Sequence, residues 1–388
     1  MKIRKILPYL LVIVLIVLGL AGCKAGAGVQ DIEEAREDVV AEIAEDIEEA
    51  VEEETVEEAS GELREDWWKA PEGGVARIED LPDPDMDAGP YTIAFISNDV
   101  EFDFEIDVWS GFEESSKEYS QLNLRMFDAK NSPEGSVIAN DDAIATDPDL
   151  LINFNWTAAG DTLADWATEN KVPLIEVDAP WGANAWFFGV DNTYAGQLGG
   201  DALSAWVNEN WKGEKIWIVQ ATEYESGETV YLRNSKFLER FLEEIDGSVE
   251  IMNLGDEGKV DELNAGVSIE KALQLFTDWL TANPDADRIV VWGSTDEGVS
   301  GMYSAAANQG REGDCVFGSI NGSAYATDIM NTDDQYLGTV TMFPEFYGGG
   351  LLKMAYDILA GVDVPKVIIT KTIFMNLEDA LGYYPDRF

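Results

Sequence analysis

Asp178 is the first residue whose type and position could do chemistry. It closes an apolar run, Val172-Pro-Leu-Ile-Glu-Val-Asp178, that reads as a buried strand. A carboxylate where such a strand gives way to a loop sits where open α/β sheets place their ligand sites. A loop carrying Trp181 follows, then a second short apolar run over residues 186–190. Asp191-Asn192-Thr193 comes next, with side-chain oxygens suited to an N-cap, and a long amphipathic helix pattern begins behind it. The chemistry on offer is recognition, not catalysis. The chain has no histidine, which removes the commonest general base and metal ligand. It shows no nucleophile–base pair, metal cluster or Gly-x-Ser-x-Gly elbow, and Gly348-Gly-Gly350 lacks the strand–turn–helix phosphate pattern. No enzymatic activity, cofactor or metal is expected.

Composition narrows the partners. The 388 residues, 46% hydrophobic and 11% aromatic, suffice for two domains with sizeable cores. With 76 acidic and 25 basic residues the formal net charge is -51, which argues against nucleic acid, because a phosphate backbone is bound by clustered Lys and Arg. The acidity reads as a solubility device. Of the two cysteines, Cys315 opens an apolar run and is expected in a core, while Cys23 belongs to a different context.

That context is an export signal. Residues 1–22 have a basic start (Lys2, Arg4, Lys5), a short apolar run and small residues before Cys23. Leu20-Ala-Gly-Cys23 resembles a bacterial lipobox, so Cys23 is expected to carry lipid at the mature N-terminus and the remainder to lie outside the cytoplasmic membrane. Residues 31–66 hold eighteen acidic residues against Arg36 and Arg64. Ile32, Ala35, Val39, Ile43, Ile47 and Val51 recur every three or four positions within them. The tract reads as a solvated, partly helical tether, with a coiled-coil partner helix as the alternative. Wholly helical, it would reach about 54 Å. Pro71-Glu-Gly-Gly and Leu81-Pro-Asp-Pro-Asp mark a linker, so residues 23–89 are read as tether and linker, with the folded body starting near Pro90.

From Tyr91 short apolar runs alternate with helical patterns. Strands are expected at 92–97, 122–127, 150–155, 173–178, 216–220, 249–253, 289–293 and 316–320. Helices are expected at 106–119, 157–170, 195–210, 229–244, 269–281 and 297–309. Such alternation means βαβ units and parallel sheets, either one closed barrel or two open doubly wound domains.

The body resembles the type I periplasmic-binding-protein family, the ribose- and galactose-binding proteins of bacterial ABC importers. Thr92-Ile-Ala-Phe-Ile-Ser-Asn98 resembles the first strand and ligand loop, Trp109-Ser-Gly-Phe the first helix, and Leu151-Ile-Asn153 and residues 172–178 the third and fourth strands. Gly189-Val-Asp-Asn-Thr-Tyr-Ala-Gly196 is similar to the first inter-domain crossing. Arg233 to Phe237 matches the Arg-x-x-x-Phe helix, though Lys236 replaces a usual glycine. Ser294-Thr-Asp296-Glu-Gly, Gly318-Ser-Ile-Asn-Gly322 and Thr339-Val-Thr-Met-Phe-Pro344 complete a series in order along almost all of the last 300 residues.

The resemblance implies an α/β fold of two Rossmann-like doubly wound lobes joined by three crossings, near Val190, Met342 and Thr370. The first lobe would be residues 90–190 plus 343–369, and the second 191–342 plus 370–388. Ligand would lie between them, with Ser97, Asn98, Phe102, Phe104, Asn153 and Asp178 from the first lobe. Arg233 and Asp296 would come from the second, and Asn321 and Met342 from the crossings. Carboxylates and amides pair with hydroxyls while aromatic faces cover C–H patches, the chemistry of a neutral polyol. Relatives usually carry Asp-Arg where Asp178-Ala179 stands, Asn-Asp for Thr295-Asp296, aspartate for Asn321 and glutamine for Met342. Trp156, Trp181, Trp186 and Trp292 cluster beside expected strand ends, and Trp156 and Trp181 join the candidate ligand contacts. The expected function is delivery of a small molecule, a sugar first, to an ABC permease. The alternative is a ligand-sensing subunit for a membrane kinase or chemoreceptor, which a neighbouring kinase gene instead of permease genes would favour.

Overall fold

A computed structural model describes residues 75–155, 159–182, 184–224 and 227–388. The leader, Cys23, the acidic tether and Trp156 lie outside the described residues. The body forms two separate open sheets, not a barrel.

The first sheet has the order β1 (Val75–Ala76), β13 (Val367–Ile369), β6 (Trp186–Gly189), β5 (Leu174–Val177), β4 (Leu150–Phe154), β2 (Tyr91–Ser97), β3 (Leu122–Asp128). Every pairing in it is parallel. Its central strands are continuous apolar runs because both faces are covered. In β2, Ile93 and Phe95 face α1 (Asp103–Ser115) and α9 (Tyr347–Leu359), while Ala94 and Ile96 face α2 (Pro133–Ile144) and α3 (Gly160–Asn170). Helices α1 and α9 touch backbone to backbone: a Cβ on Gly348 would stand 2.0 Å from the Phe112 nitrogen. The triple glycine thus serves close helix packing. Residues 75–89, read above as linker, belong to this lobe. β1 extends the sheet, and Leu81 is buried against the core with Ile78, Met86 and Ala88 beside it. Of the two stretches that signalled a linker, Leu81-Pro-Asp-Pro-Asp lies within this lobe, and Pro71-Glu-Gly-Gly lies outside the described residues.

The second sheet has the order β14 (Ile373–Met375), β12 (Tyr336–Thr341), β11 (Cys315–Asn321), β10 (Ile289–Gly293), β7 (Lys215–Thr222), β8 (Glu250–Ile251); β9 (Asp261–Asn264) also pairs with β7. Only the β12–β14 pairing is antiparallel. Helices α4 (Asn192–Asn210) and α5 (Gly227–Glu244) cover one face. Helices α6 (Ile269–Ala282), α7 (Asp296–Asn308), α8 (Ala324–Met330) and α10 (Leu377–Tyr383) cover the other. Cys315 lies buried in that core.

The sequence gives no sign of β9. Asp-Glu-Leu-Asn is a polar edge strand along half of β7, and β8 occupies the other half. Asn253 fills the break between them as a substitute peptide group. Its Oδ1 accepts from the Ile218 N–H at 3.0 Å and its Nδ2 donates to the Ile218 carbonyl at 2.7 Å.

The chain passes between the sheets three times: from β6 into α4 through Val190, from β12 into α9 through Met342, and from β13 to β14 through Thr370. Asp191 caps α4, its Oδ1 accepting from the Tyr194 N–H at 3.0 Å. Thr295 caps α7 by accepting from the Gly298 N–H.

Candidate ligand-binding site

The carboxyl ends of the two sheets meet at the three passages, and Asp178 stands at their centre. It ends β5 in a left-handed conformation (φ 57°). Its Oδ1 accepts from the Val190 N–H at 2.8 Å and from the Tyr347 hydroxyl at 3.3 Å; that hydroxyl lies 3.4 Å from Thr370 Oγ1. One carboxylate oxygen therefore contacts the first and second passages directly, and the third through Tyr347. Gly189 permits this approach, since a Cβ there would lie 2.1 Å from Asp178 Oδ1. Burial pushes the Asp178 carboxyl up to about 6, against the pull of the Val190 N–H, the Arg233 charge and the Tyr347 hydroxyl.

Arg233, on α5, is buried and, among the described residues, has no ion-pair partner within salt-bridge distance. Its Nε donates to Asn192 Oδ1 at 2.7 Å, its Nη1 to the Ser294 carbonyl at 3.0 Å and to Asn321 Oδ1 at 3.4 Å, and its Nη2 lies 3.9 Å from Met342 Sδ. The structure thus gathers Arg233, Asn321 and Met342 in direct contact, with Asp178 within their electrostatic reach. Asn192, Ser294 and Tyr347 join them.

The first lobe contributes unpaired polar groups. Among the described residues, Ser97 Oγ, Asn98 Oδ1 and both amide atoms of Asn153 are buried without hydrogen-bond partners, although Asn98 Nδ2 donates to Asn131 Oδ1 at 3.3 Å. Buried polar atoms are costly unless satisfied, so orphans together at strand ends mark a place where something else supplies the bonds. Phe104 reaches the cores of both lobes, packing edge-on to Tyr347 at 5.6 Å, while Phe102 precedes α1 and is half-buried.

Other expected contacts are placed differently. The Asp296 carboxylate turns into the second lobe, accepting from the Thr339 hydroxyl at 2.7 Å, the Ser323 N–H at 2.6 Å and the Ser319 hydroxyl. Trp181 lies flat against Gly160, donates Nε1–H to the Asn155 carbonyl at 2.9 Å and receives its backbone anchor from Glu176. Trp292 is core, stacked 4.5 Å from Phe237, and Trp186 sits at the start of β6 under Lys366. Trp181, Trp186 and Trp292 therefore do not form one cluster. A hollow of about 300 Å³ beside Trp186 lies at the amino ends of β5 and β6, away from the acids and amides at the carboxyl ends.

Between the lobes is a cavity of about 230 Å³ lined by Asp103, Phe104 and Asp107 of the first lobe and Glu297 and Asn321 of the second, with Arg387 at its side. Sequence reasoning missed Glu297 and, on the first lobe, Glu105, which lies within its electrostatic reach. Glu105 is 2% exposed with Oε1 unpartnered, and burial pushes its carboxyl well above the ordinary range. Burial, then the Asp296 charge, raises Glu297 to about 7.

Residues 93–363 match the family described as "Periplasmic binding protein domain", and the chain belongs to that family. No curated relative matches. Solved structures share the fold. An ABC transporter solute-binding protein from Actinobacillus succinogenes with bound D-allose is 20% identical, with a TM-score of 0.65 over 76% of this chain and 100% of that one. The binding component of the arabinose ABC transporter from Shewanella sp. ANA-3, bound to L-arabinofuranose, gives 19%, 0.64, 76% and 95%. A Bacillus halodurans solute-binding protein with bound myo-inositol gives 17%, 0.64, 78% and 99%. Members of this family bind solutes outside the cytoplasm and are not enzymes. Among the described residues no helix is long and apolar enough to cross a membrane.

Proposed function

We propose that the protein is a lipid-anchored extracytoplasmic receptor that encloses a small polyol, a sugar first, and presents it to an ABC permease. The observation that carries this reading is the set of orphaned buried groups on Ser97, Asn98 and Asn153, facing a second lobe that offers Arg233 and Asn321. Neighbours of the same fold bound to allose, arabinofuranose and inositol support the polyol class. Domain closure would turn about the three passages, whose common tie is Asp178 with Tyr347. A thermal-shift screen of sugars identifies the ligand, since saturation at 100 times Kd adds about 2.7 kcal/mol. Small-angle scattering at saturation should then give a smaller radius of gyration than without ligand. An unchanged radius, with binding confirmed by calorimetry, would count against closure.

The anchor is a separate claim resting on Leu20-Ala-Gly-Cys23 behind a basic, apolar leader. Mass spectrometry of the mature protein should find a lipid-modified Cys23 at the N-terminus, and Cys23→Ser should release the protein from membranes. An unmodified Cys23 in the wild type sinks the anchor and leaves the ligand reading standing.

A further inference from the structure

The cleft holds more negative charge than its own cations balance. Arg233 lies within electrostatic reach of Asp178, Glu223 and Glu297, and Arg387 approaches Asp107 at 3.8 Å. Among the described residues no lysine or arginine forms an ion pair with Asp103, Glu105 or Glu297. These three come from both sides: Asp103 and Glu105 from α1, Glu297 from α7. Glu105 is within reach of the charges of Glu297, Asp178 and Asp99, and Glu297 within reach of Asp296, Glu223 and Asp103. Asp103 and Glu297 line the same interlobe cavity.

Carboxyls brought together in a dry cleft hold their protons while it is empty and ionise only when something positive enters to balance them. A second observation points the same way. Glu105 is almost wholly buried, yet among the described residues its Oε1 has no hydrogen-bond partner, which leaves it open to a donor from a ligand. A metal ion is a poor occupant, because among the described residues no three carboxylates converge tightly enough to hold one. The cavity is far larger than an ion, and the orphaned Ser97, Asn98 and Asn153 call for hydroxyls as well.

We propose that the ligand is a monosaccharide-sized polyol bearing a protonated amine, whose ammonium group sits between Glu105 of the first lobe and Glu297 of the second. This inference rests on the solute-binding reading and narrows its ligand class. The ammonium brings three N–H donors to carboxylates that have acceptors to spare, while the hydroxyls meet the amides. It also takes the place of the protons that the empty cleft holds and bridges the two lobes, so closure is selective for a charged ligand over an uncharged isostere. The overall charge of -51 adds long-range attraction for such a cation.

The test is titration calorimetry of the full-length protein at about pH 6, where a sugar amine is charged. D-glucose, D-galactose and D-mannose are compared with their 2-amino-2-deoxy counterparts and with the N-acetylated forms of those. At least one amino sugar should bind about tenfold or more tightly than both its uncharged partners. Its affinity should fall as salt rises, while any binding of the uncharged sugar changes less. The Glu105→Gln/Glu297→Gln double variant should lose the preference for the amine, and Glu297→Gln alone should lose part of it. Thermal melts of both variants report whether they remain folded. Uncharged sugars binding as tightly as their amino partners, or a preference that survives in a folded double variant, overturns this proposal and leaves the sugar reading intact. Absence of binding by every member of all three series overturns the two together.

Discussion

Replacing Asp296 by alanine should destabilise the ligand-free protein by about 3–5 kcal/mol. The carboxylate is completely buried and accepts three hydrogen bonds, from the Ser319 and Thr339 hydroxyls and the Ser323 N–H. Those donors come from β11, from β12 and from the residue before α8, so the side chain ties α7 to three other segments of the second lobe. Each hydrogen bond to a charged group is worth about 1.5–3 kcal/mol, and each buried donor left unmade costs about 1–3 kcal/mol. The sum is smaller than three full terms, because Ser319 retains the Tyr336 hydroxyl at 2.7 Å. Asp296→Asn should cost about 2 kcal/mol. Its amide nitrogen must face either the Ser323 N–H, donor against donor, or the two hydroxyls, which would have to turn round. Urea denaturation without ligand checks both values. A wild-type midpoint combined with lost sugar binding would show that Asp296 reaches the ligand after all.

Asp296 and Asp178 looked alike in sequence, each an aspartate following a buried apolar run. What separates them is the source of their partners. Ser319 and Thr339 lie 23 and 43 residues from Asp296, and no local pattern says that their hydroxyls converge on it. The strands were legible because a sheet covered on both faces demands unbroken apolar runs, as in β4 and β10. Where that demand fails, as at the polar edge strand β9, the pattern is silent. Arg233 stood out through its match to the Arg-x-x-x-Phe helix of the family. Glu105 and Glu297 did not, because with 76 acidic residues the type carries no information. Burial singles them out, and burial is a property of the assembled lobes. Trp292, noted only for its place beside a strand end, packs its ring inward on Phe237.

The same buried acids set the pH dependence of stability, which should fall steeply from pH 5 to pH 8. Burial raises the carboxyls of Glu105, Asp178, Asp296 and Glu297 in the folded protein, Asp178 to about 6 and Glu297 to about 7. In the unfolded chain they titrate near 4. Between these limits the folded state keeps protons that the unfolded state has released, so stability declines as pH rises. The contribution is fully present below about pH 4 and is lost as pH passes through 6 to 7. With Asp178 at about 6 and Glu297 at about 7 against unfolded values near 4, each is worth about 3 kcal/mol. Mutual repulsion among the surface acids of a chain at -51 acts in the same direction. Substitution separates the two sources. Glu105→Gln/Glu297→Gln removes only two of many charges, yet it should flatten the slope clearly and raise stability at pH 8. Melting temperatures of ligand-free wild type and double variant across pH 5–8 decide the matter. A wild-type melting temperature that climbs with pH, or a double variant with an unchanged slope, would show that these carboxyls are not held protonated in the cleft.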